Sequence, residues 1–178
     1  LADNAPYFAH SAMVISDRKV DAPLLRELLN AEEVPDLLTI RAAGNRLDPK
    51  AAQVLATHPR TAGLQVLELA ANPDFGDGGL RALAEAPFFS RLQELSLSGS
   101  GLLHIGPLAG AIGLQRLEIS YNLIEDPAPL FLLPSLERLY LRETRISAAS
   151  FANLMALPRL RLLDLSGTPL QGLPDGIS

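Results

Sequence analysis

Cysteine is absent from this chain of 178 residues. The fold therefore cannot depend on disulfides or thiolate zinc sites, and no cysteine nucleophile is available for catalysis. Asn-x-Ser/Thr sequons are absent too, which disfavours a secreted eukaryotic glycoprotein. The absence of cysteine fits a reducing compartment, so we expect a cytoplasmic protein.

Positive charge and long apolar runs are also scarce. Lysine and arginine total 15 against 20 aspartates and glutamates, with no basic run, so no nucleic-acid partner is expected. The apolar run at residues 130–134 is far too short to span a bilayer, so we expect no membrane insertion. The chain begins at Leu1 without a charged leader or an apolar signal core, which indicates a truncated or processed start.

A repeated pattern runs through most of the chain. The spacing Leu-x-x-Leu-x-Leu-x-x-Asn-x-Leu is met at every fixed position by one copy, comprising Leu114, Leu117, Ile119, Asn122 and Ile124. Five further copies begin at Leu37, Leu64, Leu92, Leu136 and Leu160. A degenerate copy precedes them, with His10, Met13, Ile15, Arg18 and Val20 at the fixed positions. Successive copies begin 22 to 28 residues apart, a regularity that chance would not produce.

This pattern resembles the leucine-rich-repeat family, and the resemblance extends from about residue 10 to the end. It implies an α/β solenoid in the form of a right-handed horseshoe, with a parallel β-sheet on the concave face and helices and turns on the convex face. The long early repeats are similar to those of ribonuclease-inhibitor-type proteins. Their mixture with shorter, proline-rich repeats looks like bacterial members. The family is defined by architecture and not by activity.

The repeats predict a single leucine-rich-repeat domain over residues 1–178. Residues 1–33 form a degenerate N-terminal repeat or cap, and residues 34–170 hold the six regular repeats. Residues 171–178 begin a further connector that is cut short at Ser178. Leucines would be left open to solvent there, so we expect missing repeats or another chain to cover this end.

Local patterns predict how each repeat folds. Apolar residues alternate with polar ones near the start of each copy, which indicates a short strand with one buried face. Asn45, Asn72 and Asn122 are expected to satisfy buried backbone groups at the turn that follows, and serine or threonine replaces them in later copies. Helices are predicted after the first three strands, each opened by a capping aspartate. The three aspartates are Asp21, Asp48 and Asp77.

Catalytic and metal-binding patterns are not found. His10, His58 and His104 fall in different repeats, where they cannot converge on one metal or nucleophile. Asp74 and Asp77 lack the length and the oxygen-ligand pattern of a calcium loop. The sequence therefore predicts no enzymatic activity, no cofactor and no metal.

Tyrosine and arginine gather at the variable strand positions of the fourth to sixth regular repeats. Both residue types are enriched in protein-binding hot spots, so we predict a partner-binding patch on the concave face. Its residues are Arg116, Glu118, Tyr121, Arg138, Tyr140, Arg142, Glu143 and Asp164. The alternative is a solvated face whose charges neutralise one another.

The leading functional prediction is a protein-protein interaction module, a scaffold, sensor or adaptor with a protein partner. Two alternatives stay open: a non-catalytic targeting domain of a larger enzyme, and a structural subunit of a multi-protein assembly.

Overall fold

Eight short strands form one sheet in the computed structural model, which describes residues 7–9 and 11–169. In chain order they are β1 (Tyr7–Ala9), β2 (Ala12–Val14), β3 (Thr39–Arg41), β4 (Val66–Glu68), β5 (Glu94–Ser96), β6 (Arg116–Glu118), β7 (Arg138–Tyr140) and β8 (Leu162–Asp164). Strands β2 to β8 are parallel, and neighbours in sequence are neighbours in the sheet. The predicted α/β solenoid with a parallel sheet is confirmed.

Strand β1 was not foreseen by the repeat pattern. It pairs antiparallel with β2 at the edge of the sheet, so the first parallel strand does not present its backbone hydrogen-bonding groups at that edge. The predicted repeat position His10, the last motif residue Leu170 and the predicted connector at residues 171–178 lie outside the described residues.

Each parallel strand occupies the third to fifth positions of its repeat. The fourth-position side chain is thus the middle of the strand and faces the core. Leu117, for example, is fully buried, in register with Leu95 on one side and Leu139 on the other. Burial of one leucine contributes roughly 1.5–3 kcal/mol, so this continuous stack holds neighbouring repeats together.

The three predicted asparagines are buried and hydrogen-bonded as the sequence indicated. Asn122 is 2% exposed, and its side chain joins two repeats. Its Oδ1 accepts from backbone amides of the preceding repeat, and its Nδ2 donates to carbonyls of both. The partners are Ser100 N, Leu102 N, Leu97 O, Ile119 O and Ser120 O. Asn45 and Asn72 bridge repeats in the same way.

Serine and threonine make fewer bonds at the same position. The Ser100 hydroxyl donates to Leu69 O at 3.2 Å. The hydroxyls of Thr144 and Thr168 each donate to Leu141 O at 2.8 Å. A hydroxyl is too short to span the turn as an amide does, so the junctions between the later repeats hold fewer side-chain bonds.

Helices follow strands β2, β3 and β4, as predicted. They are α1 (Ala22–Asn30), α2 (Pro49–Thr57) and α3 (Gly76–Ala84). Asp21 caps α1 by accepting from Leu24 N at 3.0 Å, and Asp48 caps α2 by accepting from Ala51 N at 2.9 Å. These bonds satisfy amides that have no partner in the first turn of a helix.

The remaining connectors are tighter. They contain 3₁₀ segments at Gly106–Gly110, Ala128–Leu132 and Ala148–Ser150, and the short helix α4 (Phe151–Met155). Two further 3₁₀ segments, Pro59–Thr61 and Phe89–Arg91, follow α2 and α3 within the same connectors as those helices. Prolines at positions 107, 127 and 129 remove backbone donors and disfavour longer helices in the two middle connectors.

The capping role predicted for Asp77 is wrong. Residue Phe75 precedes α3 without a side-chain cap, and Asp77 lies in the first turn of the helix. Its carboxylate instead accepts from the backbone amides of Leu103 and His104 at 2.9 and 3.0 Å, and from the His104 ring at 2.7 Å. In the sequence, Asp77 followed by two glycines is typical of the residues that precede a helix. In the structure the Asp77 carboxylate instead connects α3 to the loop after β5.

We expect replacement of Asp77 by alanine to lower the free energy of unfolding by about 1–2 kcal/mol at pH 7, because two backbone amides lose a charged acceptor. Partial burial raises the pKa of Asp77, but the hydrogen bonds from His104 and Leu103 outweigh it and hold the pKa below its ordinary value. The ionised Asp77 carboxylate therefore makes its full contribution to the free energy of unfolding above about pH 4. This contribution is lost as the pH falls through the lower pKa that Asp77 has in the folded state.

Urea unfolding followed by circular dichroism between pH 7 and pH 3 measures this effect. The control is Asp74→Ala, which removes an exposed carboxylate that makes no hydrogen bond within the described residues. A difference between wild type and Asp77→Ala that stays unchanged down to pH 3 would contradict the account.

Candidate interaction surface on the sheet

The third and fifth residues of each repeat, which are the first and last residues of its strand, point away from the core. We call their side chains the strand face. The third positions form one row across the sheet: Ala12, Thr39, Val66, Glu94, Arg116, Arg138 and Leu162. The fifth positions form a second row: Val14, Arg41, Glu68, Ser96, Glu118, Tyr140 and Asp164. Five of the eight predicted site residues lie in these rows, since the repeat register places them there.

Arg116 is the centre of a tight group on β5, β6 and β7. Its guanidinium donates to Glu118 at 3.1 Å and lies 3.9 Å from the Glu94 carboxylate. It also lies over the Tyr140 ring, 5.1 Å from the ring centroid. Contacts with two carboxylates and an aromatic face fix this arginine, and they orient Tyr140 on the neighbouring strand.

Arg138 is the neighbour of Arg116 in the third-position row. It is exposed, and it makes no ion pair within residues 11–169. Two arginines side by side repel each other unless carboxylates neutralise them. Arg116 has such carboxylates, whereas the Arg138 guanidinium makes no hydrogen bond to the described residues.

A second pair lies at the end of β8. Arg142 Nε is 3.9 Å from Asp164, which faces Tyr140 in the fifth-position row. The Ser166 hydroxyl and amide donate to Asp164 at 2.6 and 3.0 Å. These two hydrogen bonds, with a smaller contribution from Arg142, hold the pKa of Asp164 below its ordinary value. Asp164 therefore stays charged at neutral pH.

Tyr121 and Glu143 lie beyond the strands, in the turns that follow β6 and β7. Both have left-handed backbone conformations, with φ of 56° and 51°. Their amides donate to Arg142 O and Ser166 O in the next repeat, which fixes these turns. The Tyr121 side chain is 56% exposed. The two residues therefore border the strand face rather than forming part of its rows.

Three charged residues on the strand face were not included in the predicted site. Arg41, Glu68 and Glu94 join Arg116 and Glu118 around a depression of about 200 Å³. Arg41 lies 3.6 Å from Glu68. Their positions in the repeat are evident from the sequence, but glutamates are not among the residue types enriched in binding hot spots, so residue type alone does not single them out.

No three His, Cys, Asp or Glu side chains in the described part of the chain are grouped to hold a metal ion. In the same residues, no helix is long and apolar enough to cross a membrane. His58 and His104 lie far apart in sequence, at the end of α2 and in the loop after β5.

Comparisons with known proteins agree with the architecture, although no family model matches the chain. Nephrocan of Mus musculus is 42% identical over 100 residues, which cover 53% of this chain and 19% of that protein. Leucine-rich repeat-containing protein 56 of Rattus norvegicus is 34% identical over 99 residues, which cover 55% of this chain and 18% of that protein. This chain spans about a fifth of the length of these two relatives.

Among solved structures, an internalin C2 from Listeria monocytogenes matches with a TM-score of 0.63 and 23% identity, over 90% of this chain and 73% of that one. The sheet, the bridging asparagines and this match define a leucine-rich-repeat solenoid. In sequence the chain is similar to leucine-rich-repeat proteins, as its repeats indicated.

Proposed function

We propose that this chain is a non-catalytic protein-interaction module, and that its partner binds the strand face around β6, β7 and β8. The predicted patch comprises residues of this part of the strand face and of the turns that border it: Arg116, Glu118, Tyr121, Arg138, Tyr140, Arg142, Glu143 and Asp164. The cytoplasmic location and the bacterial origin stay predictions from composition.

The observation that carries the proposal is the arrangement of Arg138 beside an ordered arginine–tyrosine pair. The Tyr140 ring is held under Arg116, so its position is set before any partner arrives. A side chain that is already ordered loses less conformational entropy on binding. Arg138 lies next to this pair with its donors unused by the described residues. Arginine and tyrosine are among the residue types most enriched in binding hot spots.

A merely solvated face would be organised differently. In such a face each cation has a carboxylate beside it, as Arg41 has Glu68 and Arg116 has Glu118. Arg138 departs from this pattern within residues 11–169, and Arg142 has only a long contact of 3.9 Å. The area around β7 therefore offers two weakly neutralised cations beside two tyrosines, which favours recognition of a partner over self-neutralisation.

Affinity capture from the source organism tests the proposal. The chain is compared with a variant carrying Arg138→Ala, Tyr140→Ala and Arg142→Ala, and captured proteins are identified by mass spectrometry. We expect one specific protein to be lost from the variant. With that protein purified, calorimetry should show affinity weakened at least about tenfold, because several hot-spot side chains are removed.

The matched control carries Arg26→Ala, Arg81→Ala and Leu132→Ala, three exposed side chains on the connectors. It removes comparable side-chain volume away from the strand face. Circular dichroism establishes that both variants remain folded. Equal capture by the wild type and the strand-face variant would contradict the proposal and would favour a binding site on the connectors.

A further inference from the structure

The depression on the strand face is formed by one small residue between larger charged ones. Ser96 lies between Glu68 and Glu118 in the fifth-position row. Glu94 borders the same depression from the third-position row. Neighbouring strands are roughly 4.8 Å apart, so carboxylates from three adjacent strands surround the space above the serine hydroxymethyl group.

Two of these three carboxylates keep unused acceptor capacity. Glu68 and Glu94 reach their arginines only at 3.6 and 3.9 Å, longer than a hydrogen bond. Within the described residues neither side chain accepts a hydrogen bond. Glu118 differs, because it accepts from Arg116 at 3.1 Å and from the Ser98 hydroxyl at 3.4 Å. The side chains around the depression hold three carboxylates and two guanidiniums, so its net charge is negative.

A positive charge, that of Arg138, lies in the same third-position row as Glu94, two strands away from it. Glu94 is in register with Arg116, and Arg116 with Arg138. Arg116 is neutralised chiefly by Glu118, to which it donates at 3.1 Å, whereas Arg138 has no ion pair within residues 11–169. The unused acceptors and the unused donors are therefore separated by two strand spacings, roughly 10 Å.

The geometry points to a protein partner that carries a matched pair of opposite charges. A lysine or arginine side chain enters the depression over Ser96 and donates to Glu68 and Glu94, and an aspartate or glutamate of the same partner binds Arg138. An extended segment spans roughly 10 Å in about three residues. This inference rests on the proposed function, because it names the chemistry of the partner that the strand face recognises.

A metal ion does not fit the depression as well as a cationic side chain does. The three glutamates come from three different strands, and they are not grouped as metal ligands. A long side chain can reach Glu68 and Glu94 while its apolar stem passes over Ser96 and Val66.

Selection from a random peptide library displayed on phage tests the inference on the full chain. We expect enriched peptides to contain a lysine or arginine within about four residues of an aspartate or glutamate. A synthetic peptide from the selection is then measured by fluorescence anisotropy. Exchanging its two charged residues keeps its composition, and should weaken binding at least about tenfold, because both ends then meet like charge.

Compensating variants locate the two charges on the protein. The double variant Glu94→Arg, Arg138→Glu keeps the net charge of the protein and exchanges the positions of the negative and the positive charge in the third-position row. We expect this variant to lose the selected peptide and to bind the charge-exchanged one. The control is Glu33→Arg together with Arg159→Glu, an inversion of two exposed charges off the strand face, which should change neither affinity.

Selected peptides without the charge pair, or a selection that enriches nothing, would overturn the inference. So would equal binding of the original and charge-exchanged peptides. The proposed function can fail separately: it fails if capture of the natural partner survives Arg138→Ala, Tyr140→Ala and Arg142→Ala, whatever peptides the library gives.

Discussion

Replacing Asn122 with alanine is expected to lower the free energy of unfolding by about 3 kcal/mol. Its side chain makes five hydrogen bonds to the backbone of two repeats and is 2% exposed. Alanine would leave buried amides and carbonyls without partners, and each such group costs roughly 1–3 kcal/mol. Water that enters the vacated space recovers part of this loss, which sets the expected value below the sum over all five groups.

The matched comparison is Thr144→Ala, at the same position of the next repeat. The Thr144 hydroxyl donates only to Leu141 O, with Thr168 as a further contact at 3.3 Å, so we expect a loss of about 1 kcal/mol. Urea unfolding followed by circular dichroism gives both values. If the two alanine variants lose equal stability, the asparagine bonds do not hold the repeats together as described.

The bridging asparagines show what a repeat pattern reveals in advance. One residue type returns at one position, just after an apolar alternation, and a buried turn with unpaired backbone groups accounts for it. The same pattern located β2 to β8, because the alternation fixes which side chain faces the core. The structure agrees at Asn45, Asn72 and Asn122 alike.

Asp77 shows where local sequence rules stop. It precedes two glycines and a run typical of a helix, as a capping residue would, yet it bonds to Leu103 and His104 in the next repeat. Their amides lie 26 and 27 residues away in sequence. Capping rules describe neighbours within one helix and carry no information on such a contact.

The strand face was only partly predictable for a related reason. The repeat register places Arg116, Arg138 and Tyr140 on adjacent strands, and their residue types drew attention to them. The depression over Ser96 depends instead on which positions are small and which carboxylates are left without short contacts. Those properties arise from side-chain geometry between repeats, and they are not encoded in any single motif.

Replacing Gly101 with alanine is expected to lower the free energy of unfolding by about 3 kcal/mol. Gly101 has a φ of 72°, a left-handed conformation that disfavours a side chain. A Cβ there would also overlap the carbonyl oxygen of Pro73 in the preceding repeat. That oxygen belongs to backbone held by the bond from Gly76 N to Ser100 O at 2.8 Å, so the overlap is relieved only by moving one repeat against the other.

A second variant, at Gly99, separates the cost of the left-handed conformation from the cost of the overlap between repeats. It has a φ of 59°, but a Cβ built on it meets no atom within 4 Å, so Gly99→Ala tests the left-handed conformation alone, at about 1 kcal/mol. Urea unfolding measures the loss in free energy of unfolding for each variant. The loss for Gly101→Ala minus the loss for Gly99→Ala gives the cost of the overlap with Pro73. A difference of about 2 kcal/mol means that close backbone contact between repeats, beyond the left-handed conformation itself, requires glycine at position 101. Equal losses would mean that the repeats separate at this turn without cost, which would contradict the close packing of Gly101 against Pro73.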